Sequence, residues 1–106
     1  MTTVIKQQDF IDSIYEGLQY ISYYHPLDFL EALKKAYERE QNQPAKDAIA
    51  QILVNSKMCA MGHRPLCQDT GIVTAFVEIG MDVRVVGDMT VQEMVEEGAR
   101  GASRAA

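Results

Sequence analysis

Along residues 8–23 the apolar side chains Phe10, Ile11, Ile14, Leu18 and Ile21 recur three or four positions apart, with polar residues between them. That spacing puts them on one face and predicts a first helix packed against a core. Tyr23, Tyr24, His25 and Pro26 interrupt the pattern. Pro26 suits the opening of a second helix, because the first helical position has no use for an N–H donor. Leu27, Leu30, Leu33 and Tyr37 then continue the stripe. A second polar break, Gln41, Asn42, Gln43 and Pro44, precedes Ala48, Ile49, Ile52 and Leu53, which predict a third helix. Breaks this short predict hairpin-like packing. Tyr15, Tyr20, Tyr23, Tyr24 and Tyr37 lie along these helices. There they are expected at the core margin, ring buried and hydroxyl wet.

Past residue 57 the period of 3.6 is lost. Met58 to Gly71 reads as a loop in which Gly62 and Gly71 permit unusual backbone angles and Pro65 restricts both itself and Arg64. The β-branched run at residues 72–79 predicts a buried strand, and the alternation at residues 81–86 a second one, ended by Gly87 and Asp88. Thr90 and Glu93 have the spacing of a capping box before a helix that starts with Val91, Met94 and Val95. Gly98 and Gly101 are expected to weaken the end of that helix. The fold class expected is therefore mixed α+β: a helical N-terminal half, a loop, two strands and a helix. Two strands alone are a marginal sheet with open edges, so further strands are expected from elsewhere, and the last residues read as the middle of a larger unit.

At 106 residues the chain fits one domain, long enough for a core but short for an enzyme that must enclose a polar substrate. No window approaches the roughly 18 consecutive apolar residues a membrane span needs, and the N-terminus lacks the layout of a secretory signal. A soluble cytoplasmic protein is the expectation. Two cysteines do not make a disulfide framework. Ten basic against 15 acidic residues give a net charge of −5, which argues against nucleic acid or an anionic membrane as partner. Between Asp47 and Asp69, however, no acidic residue occurs, while Lys57, His63 and Arg64 do. That locally cationic stretch is one to which a small dicarboxylate could be drawn, although an acid-free run of this length also arises by chance.

The same stretch holds the densest chemistry. Cys67-Gln68-Asp69-Thr70-Gly71, introduced by Gly62-His63-Arg64-Pro65, sets a soft metal ligand, an amide, a carboxylate and a hydroxyl between backbone-breaking residues. Thiolates select iron–sulfur clusters, zinc or copper(I), and a neighbouring carboxylate can orient water or move a proton. Cys59, His63 and Cys67 also recur every fourth residue. Pro65 interrupts any continuous helix there, and three ligands fall one short of a structural zinc site.

The run from Asn55 to Gly71, NSKMCAMGHRPLCQDTG, resembles the N-terminal part of class I, iron–sulfur-dependent fumarate hydratases and the related tartrate dehydratase α chains. The resemblance extends from the His25-Pro26-Leu27-Asp28-Phe29 helix start through Gly80-Met81-Asp82-Val83-Arg84. It implies that Cys67 is one of three thiolate ligands of a four-iron, four-sulfur cluster. The fourth iron, without a protein ligand, would bind a substrate carboxylate and hydroxyl as a Lewis acid. It implies that Gln68 and Asp69 contact the substrate, with Asp69 catalytic in the proton transfer. It assigns no role to Cys59, which then reads as a small buried side chain. The implied substrate is fumarate or malate, with tartrate as the close variant, and the implied assembly is a homodimer. No cysteine follows Cys67, so one thiolate cannot hold such a cluster alone. Residues 1–106 are accordingly expected to be the N-terminal part of a hydro-lyase catalytic domain, truncated and inactive until a remaining catalytic region or second subunit completes it. Two other readings stay open: a non-catalytic helical interaction domain, and a zinc module built on Cys59, His63 and Cys67.

Overall fold

The computed structural model describes residues 2–67 and 71–105. Six elements follow in order: β1 (Thr3–Lys6), α1 (Gln7–Tyr23), α2 (Leu27–Arg39), α3 (Gln43–Gly62), β2 (Val83–Val86) and α4 (Val91–Ala105). The mixed α+β class expected of the sequence holds. The chain divides into two compact units, residues 1–19 with 69–106, and residues 20–68, so that the division falls within α1.

In the first unit β1 and β2 pair in parallel, Thr3 opposite Val83 through Lys6 opposite Val86. Each strand leads into a helix. At the end of β2, the Gln7 side chain accepts a hydrogen bond from the Met89 N–H at 2.8 Å. Thr90 then opens α4 with the expected reciprocal cap: its N–H donates to Glu93 Oε1 at 3.0 Å, and its hydroxyl accepts from the Glu93 N–H at 3.2 Å. Ile11 of α1 and Met94 and Ala102 of α4 are the buried apolar residues of this unit. Gly98 is buried with them. A Cβ on Gly98 would stand 2.7 Å from the Ile14 side chain and 2.9 Å from the Ile11 carbonyl oxygen. The glycine expected to weaken α4 instead lets α1 and α4 approach closely, and the helix runs through it.

One expectation needs correction here. Residues 72–79, read as a buried strand, form no strand and are exposed, Ile72 at 94% and Phe76 at 95%. A β-branched run has strand propensity, but a strand exists only where a neighbour completes its hydrogen-bond ladder, and propensity supplies no neighbour. The partner of β2 is instead β1, four residues too short to reveal a period.

In the second unit α2 and α3 pack as the expected helical hairpin. Pro26 is the residue before α2, extended at φ −60° and ψ 148°, and so sits one position earlier than the sequence placed it. Asn42 caps α3 by accepting from the Ala45 N–H at 3.2 Å, with Pro44 in the first turn. Lys46 lies over the Tyr37 ring at 4.5 Å, a contact that ties the start of α3 to α2. Of the tyrosines expected at the core margin, Tyr15, Tyr23, Tyr24 and Tyr37 are half-buried and Tyr20 is exposed.

Candidate active-site loop

The loop that carries Cys67 is shorter than its sequence implies, because α3 continues through Met58 and Cys59 to Gly62. What ends the helix is His63, not Gly62: it adopts the left-handed conformation at φ 50° and ψ 53°, and its N–H closes on the Cys59 carbonyl. Such a backbone costs a residue with a Cβ about 1–2 kcal/mol, and histidine is among the side chains found there more often than most. The surroundings hold it in place. His63 Nε2 and the Tyr24 hydroxyl are hydrogen-bonded at 2.9 Å, and the His63 ring stacks on Tyr23 with centroids 5.7 Å apart and planes 5° from parallel. The ring thought available to a dianion is thus engaged with two tyrosines. Lys57 and Arg64, the other cations of the stretch, are exposed. At the far end of the loop Gly71 also has positive φ, 59°, as the sequence anticipates.

A second polar contact lies behind the loop. Ser56 is buried, 4% exposed, and its hydroxyl pairs with His25 Nδ1 at 3.0 Å. The His25 ring in turn packs against Phe29, centroids 4.7 Å apart. A buried hydroxyl without a partner is costly, so this bond fixes where α3 meets the start of α2.

Beyond His63 the chain has little regular structure, yet several backbone groups of residues 64–66 have named partners. The Arg64 N–H donates to the Cys59 carbonyl at 3.1 Å, and the Leu66 N–H to the Ser22 carbonyl at 2.8 Å. Asn55 Nδ2 donates to the Leu66 carbonyl at 2.9 Å. The Cys59 thiol, with one proton to give, stands 3.4 Å from the Pro65 carbonyl and 3.6 Å from Asn55 Oδ1. Asn55, Pro65, Leu66 and Cys67 line a shallow, open depression. Cys67 itself is exposed, whereas Cys59 is buried.

Of the residues the sequence singled out, the structure puts Cys67 at the exposed end of this anchored loop; Gln68 and Asp69 lie outside the described residues. Among the described residues no three histidine, cysteine or acidic side chains come together to hold a metal ion. A zinc module on Cys59, His63 and Cys67 is therefore not what the structure forms: Cys59 faces its own helix and loop, and His63 faces the tyrosines. As a donor set the described residues fit one ligand of an iron–sulfur cluster, the exposed Cys67 thiol, and no more. The sequence missed Asn55, Ser56, His25 and Tyr24. Only Asn55 carried a signal, since asparagine inside a helix is a poor helix former whose amide seeks backbone partners.

Comparison with known proteins bears on this loop. A family model described as fumarate hydratase (Fumerase) matches residues 11–106. A protein of Methanocaldococcus jannaschii that carries the provisional name L(+)-tartrate dehydratase subunit alpha is 32% identical over 92 residues. That match takes in 87% of this chain and 32% of the relative, so the chain spans about a third of the length of the curated protein it matches. No solved structure matches the chain. No helix among the described residues is long and apolar enough to cross a membrane.

Proposed function

The chain belongs to the fumarate hydratase family, and from that premise we propose that it contributes the substrate loop of a hydro-lyase acting on a four-carbon dicarboxylate. The observation that carries this reading is the exposed Cys67 thiol at the end of a loop whose preceding carbonyls and N–H groups are held by named partners. The reaction is the reversible hydration of fumarate to L-malate. Cys67 is one of three ligands to a four-iron, four-sulfur cluster; the other two come from a remaining catalytic region or a second subunit. When bound, that cluster supplies Lewis-acid polarisation of the substrate's hydroxyl and carboxylate.

This chain's own residues bind and move the proton. The Gln68 amide donates to a substrate carboxylate oxygen and can accept from its hydroxyl. Asp69 orients the hydroxyl and exchanges a proton with it as the C–O bond forms or breaks. Lys57 and Arg64 keep the stretch cationic for a dianion, in a chain that is otherwise acidic. The working enzyme is a cytoplasmic dimer, a setting in which an exposed cluster iron and a reduced Cys67 persist.

The name of the M. jannaschii relative favours a second substrate, L(+)-tartrate, whose dehydration uses the same loop chemistry on a diacid with one more hydroxyl. The test is to isolate the protein from its source without oxygen, with any subunit that accompanies it, supply iron and sulfide, and follow fumarate loss and tartrate dehydration separately. Iron-dependent turnover of fumarate supports the first reading, and of tartrate alone the second. If neither diacid turns over in iron-loaded protein, the hydro-lyase reading is wrong.

A further inference from the structure

We propose that Asn55 is a positioning residue for Cys67, holding the peptide from which the thiol projects and working with Cys59 as a two-point clamp. The proposal rests on the reading of Cys67 as a ligand, but its geometry stands without it.

Because a peptide unit is planar, fixing its carbonyl or its N–H fixes the orientation of the whole unit. Two units lead into Cys67. The Pro65–Leu66 unit is held at both ends: its carbonyl faces the Cys59 thiol at 3.4 Å, and its N–H donates to the Ser22 carbonyl at 2.8 Å. The Leu66–Cys67 unit is held at its carbonyl, which accepts from Asn55 Nδ2 at 2.9 Å. Of these contacts the second is the nearer to Cys67 along the chain. With it made, the direction in which the Cys67 Cα leaves the loop is set by α3.

Asn55 is suited to this by having both a donor and an acceptor on one amide. Its Nδ2 reaches Leu66, while its Oδ1 stands 3.6 Å from the Cys59 thiol, one helical turn on along the same face. Asn55 therefore touches both halves of the clamp. It is itself exposed, and it sits in the interior of α3, where alanine or leucine would favour the helix more. Burial does not explain an asparagine here, and helix propensity argues against it. The bond to the loop does explain it. Cys59 likewise has a task beyond filling space, since its thiol faces the Pro65 carbonyl at 3.4 Å.

The experiment uses the full chain with neither iron nor substrate. Cys59→Ser serves as the background, because serine keeps a donor for the Pro65 carbonyl and leaves Cys67 as the sole thiol. Amide exchange at Leu66 and alkylation of Cys67 by iodoacetamide at fixed pH are measured with Asn55 intact and with Asn55→Ala. The clamp predicts that Asn55→Ala, by releasing the Leu66 carbonyl, lets the loop open more readily and so speeds exchange of the Leu66 N–H, itself bonded to Ser22, by about tenfold, while the α3 amides of Ile52 and Leu53 keep their rates. Cys67 alkylation should move to the rate of the same chain in denaturant. In parallel, Cys59→Ala should loosen Leu66 and Cys59→Ser should not, a rescue that packing alone would not give. Should Asn55→Ala fail to fold, Asn55→Asp, which keeps the shape and the acceptor but lacks the Nδ2 donor, is read in its place with the same expected loss at Leu66. The proposal is overturned if Leu66 keeps its protection in Asn55→Ala, if the loss is shared by all of α3, or if alanine and serine at position 59 behave alike. A failed hydro-lyase assay leaves this result untouched, and a failed clamp leaves the assay untouched.

Discussion

Each of the two units of this chain is held together internally by a different kind of interaction. In the unit of β1, β2 and α4, burial is apolar and tight: Met94 is 2% exposed, and Gly98 admits Ile14 where any side chain would collide. In the unit of α2 and α3, the buried residues among those described are Ser56 and Cys59, and ring contacts are joined by bonds between polar atoms, His25 to Ser56, Tyr24 to His63, and Asn55 and Cys59 to the loop. Apolar packing is non-directional and fixes how close two elements come. Hydrogen bonds weaken steeply off axis and so also fix which way a group points. The loop that must aim a thiol lies in the unit built from directional contacts.

The contrast can be broken experimentally from either side. The largest effect belongs to chemistry alone: Asp69→Asn should lower turnover of the preferred diacid by about 10²–10⁴, the usual worth of a positioned general acid or base, with the melting temperature unchanged. Comparable kcat in Asp69→Asn would remove that residue from the proton transfer. Next comes Gly98→Leu, expected to destabilise by about 3 kcal/mol because its Cβ already meets Ile14 at 2.7 Å, and read as a fall in urea midpoint. If the midpoint holds, α1 and α4 are not in close apposition. Ser56→Ala, which strands His25 without its partner, should cost about 1–2 kcal/mol in the same denaturant assay. Thr90→Ala removes one half of a cap on α4 and should cost about 1 kcal/mol. Smallest of all, Phe76→Ser at a 95% exposed position should stay within about 0.5 kcal/mol of the parent, and a larger loss would mean that residues 72–79 are packed after all.

How much of this was legible follows the same division. The α1 stripe, the breaks at Pro26 and Pro44 and the Thr90–Glu93 cap are local signals, written within a few residues of where they act, and each is found, except that the stripe stops at Leu18 and leaves Ile21 exposed at 64%. Pairing is not local. Nothing in residues 3–6 announces a strand, because β1 exists only by virtue of β2, some 80 positions away. The opposite error occurred at residues 72–79, where strong β propensity has no ladder to join. Gly98 looked like a flaw in a helix because only the neighbour α1 turns its missing side chain into a contact. At the site, Cys67 was legible from its motif, and Cys59 as a buried small side chain. Gly62 was expected to permit unusual backbone angles, but the left-handed turn falls on His63, and the Tyr23 and Tyr24 rings that engage it lie 39 or more positions back in the chain. Asn55 was visible as part of a resembling run and as a poor helix former inside a helix, but its bond to a carbonyl 11 residues ahead was not.

The most direct test of the account sets the two cysteines against each other. Iron and sulfide content, and the visible absorption they give, would be measured after anaerobic reconstitution of the parent protein, Cys67→Ser and Cys59→Ser, each with any subunit that accompanies it. Cys67→Ser should lose the bound iron and sulfide, while Cys59→Ser, which keeps a donor to Pro65, should retain both. Equal retention by Cys67→Ser and the parent would contradict the assignment of Cys67 as a cluster ligand.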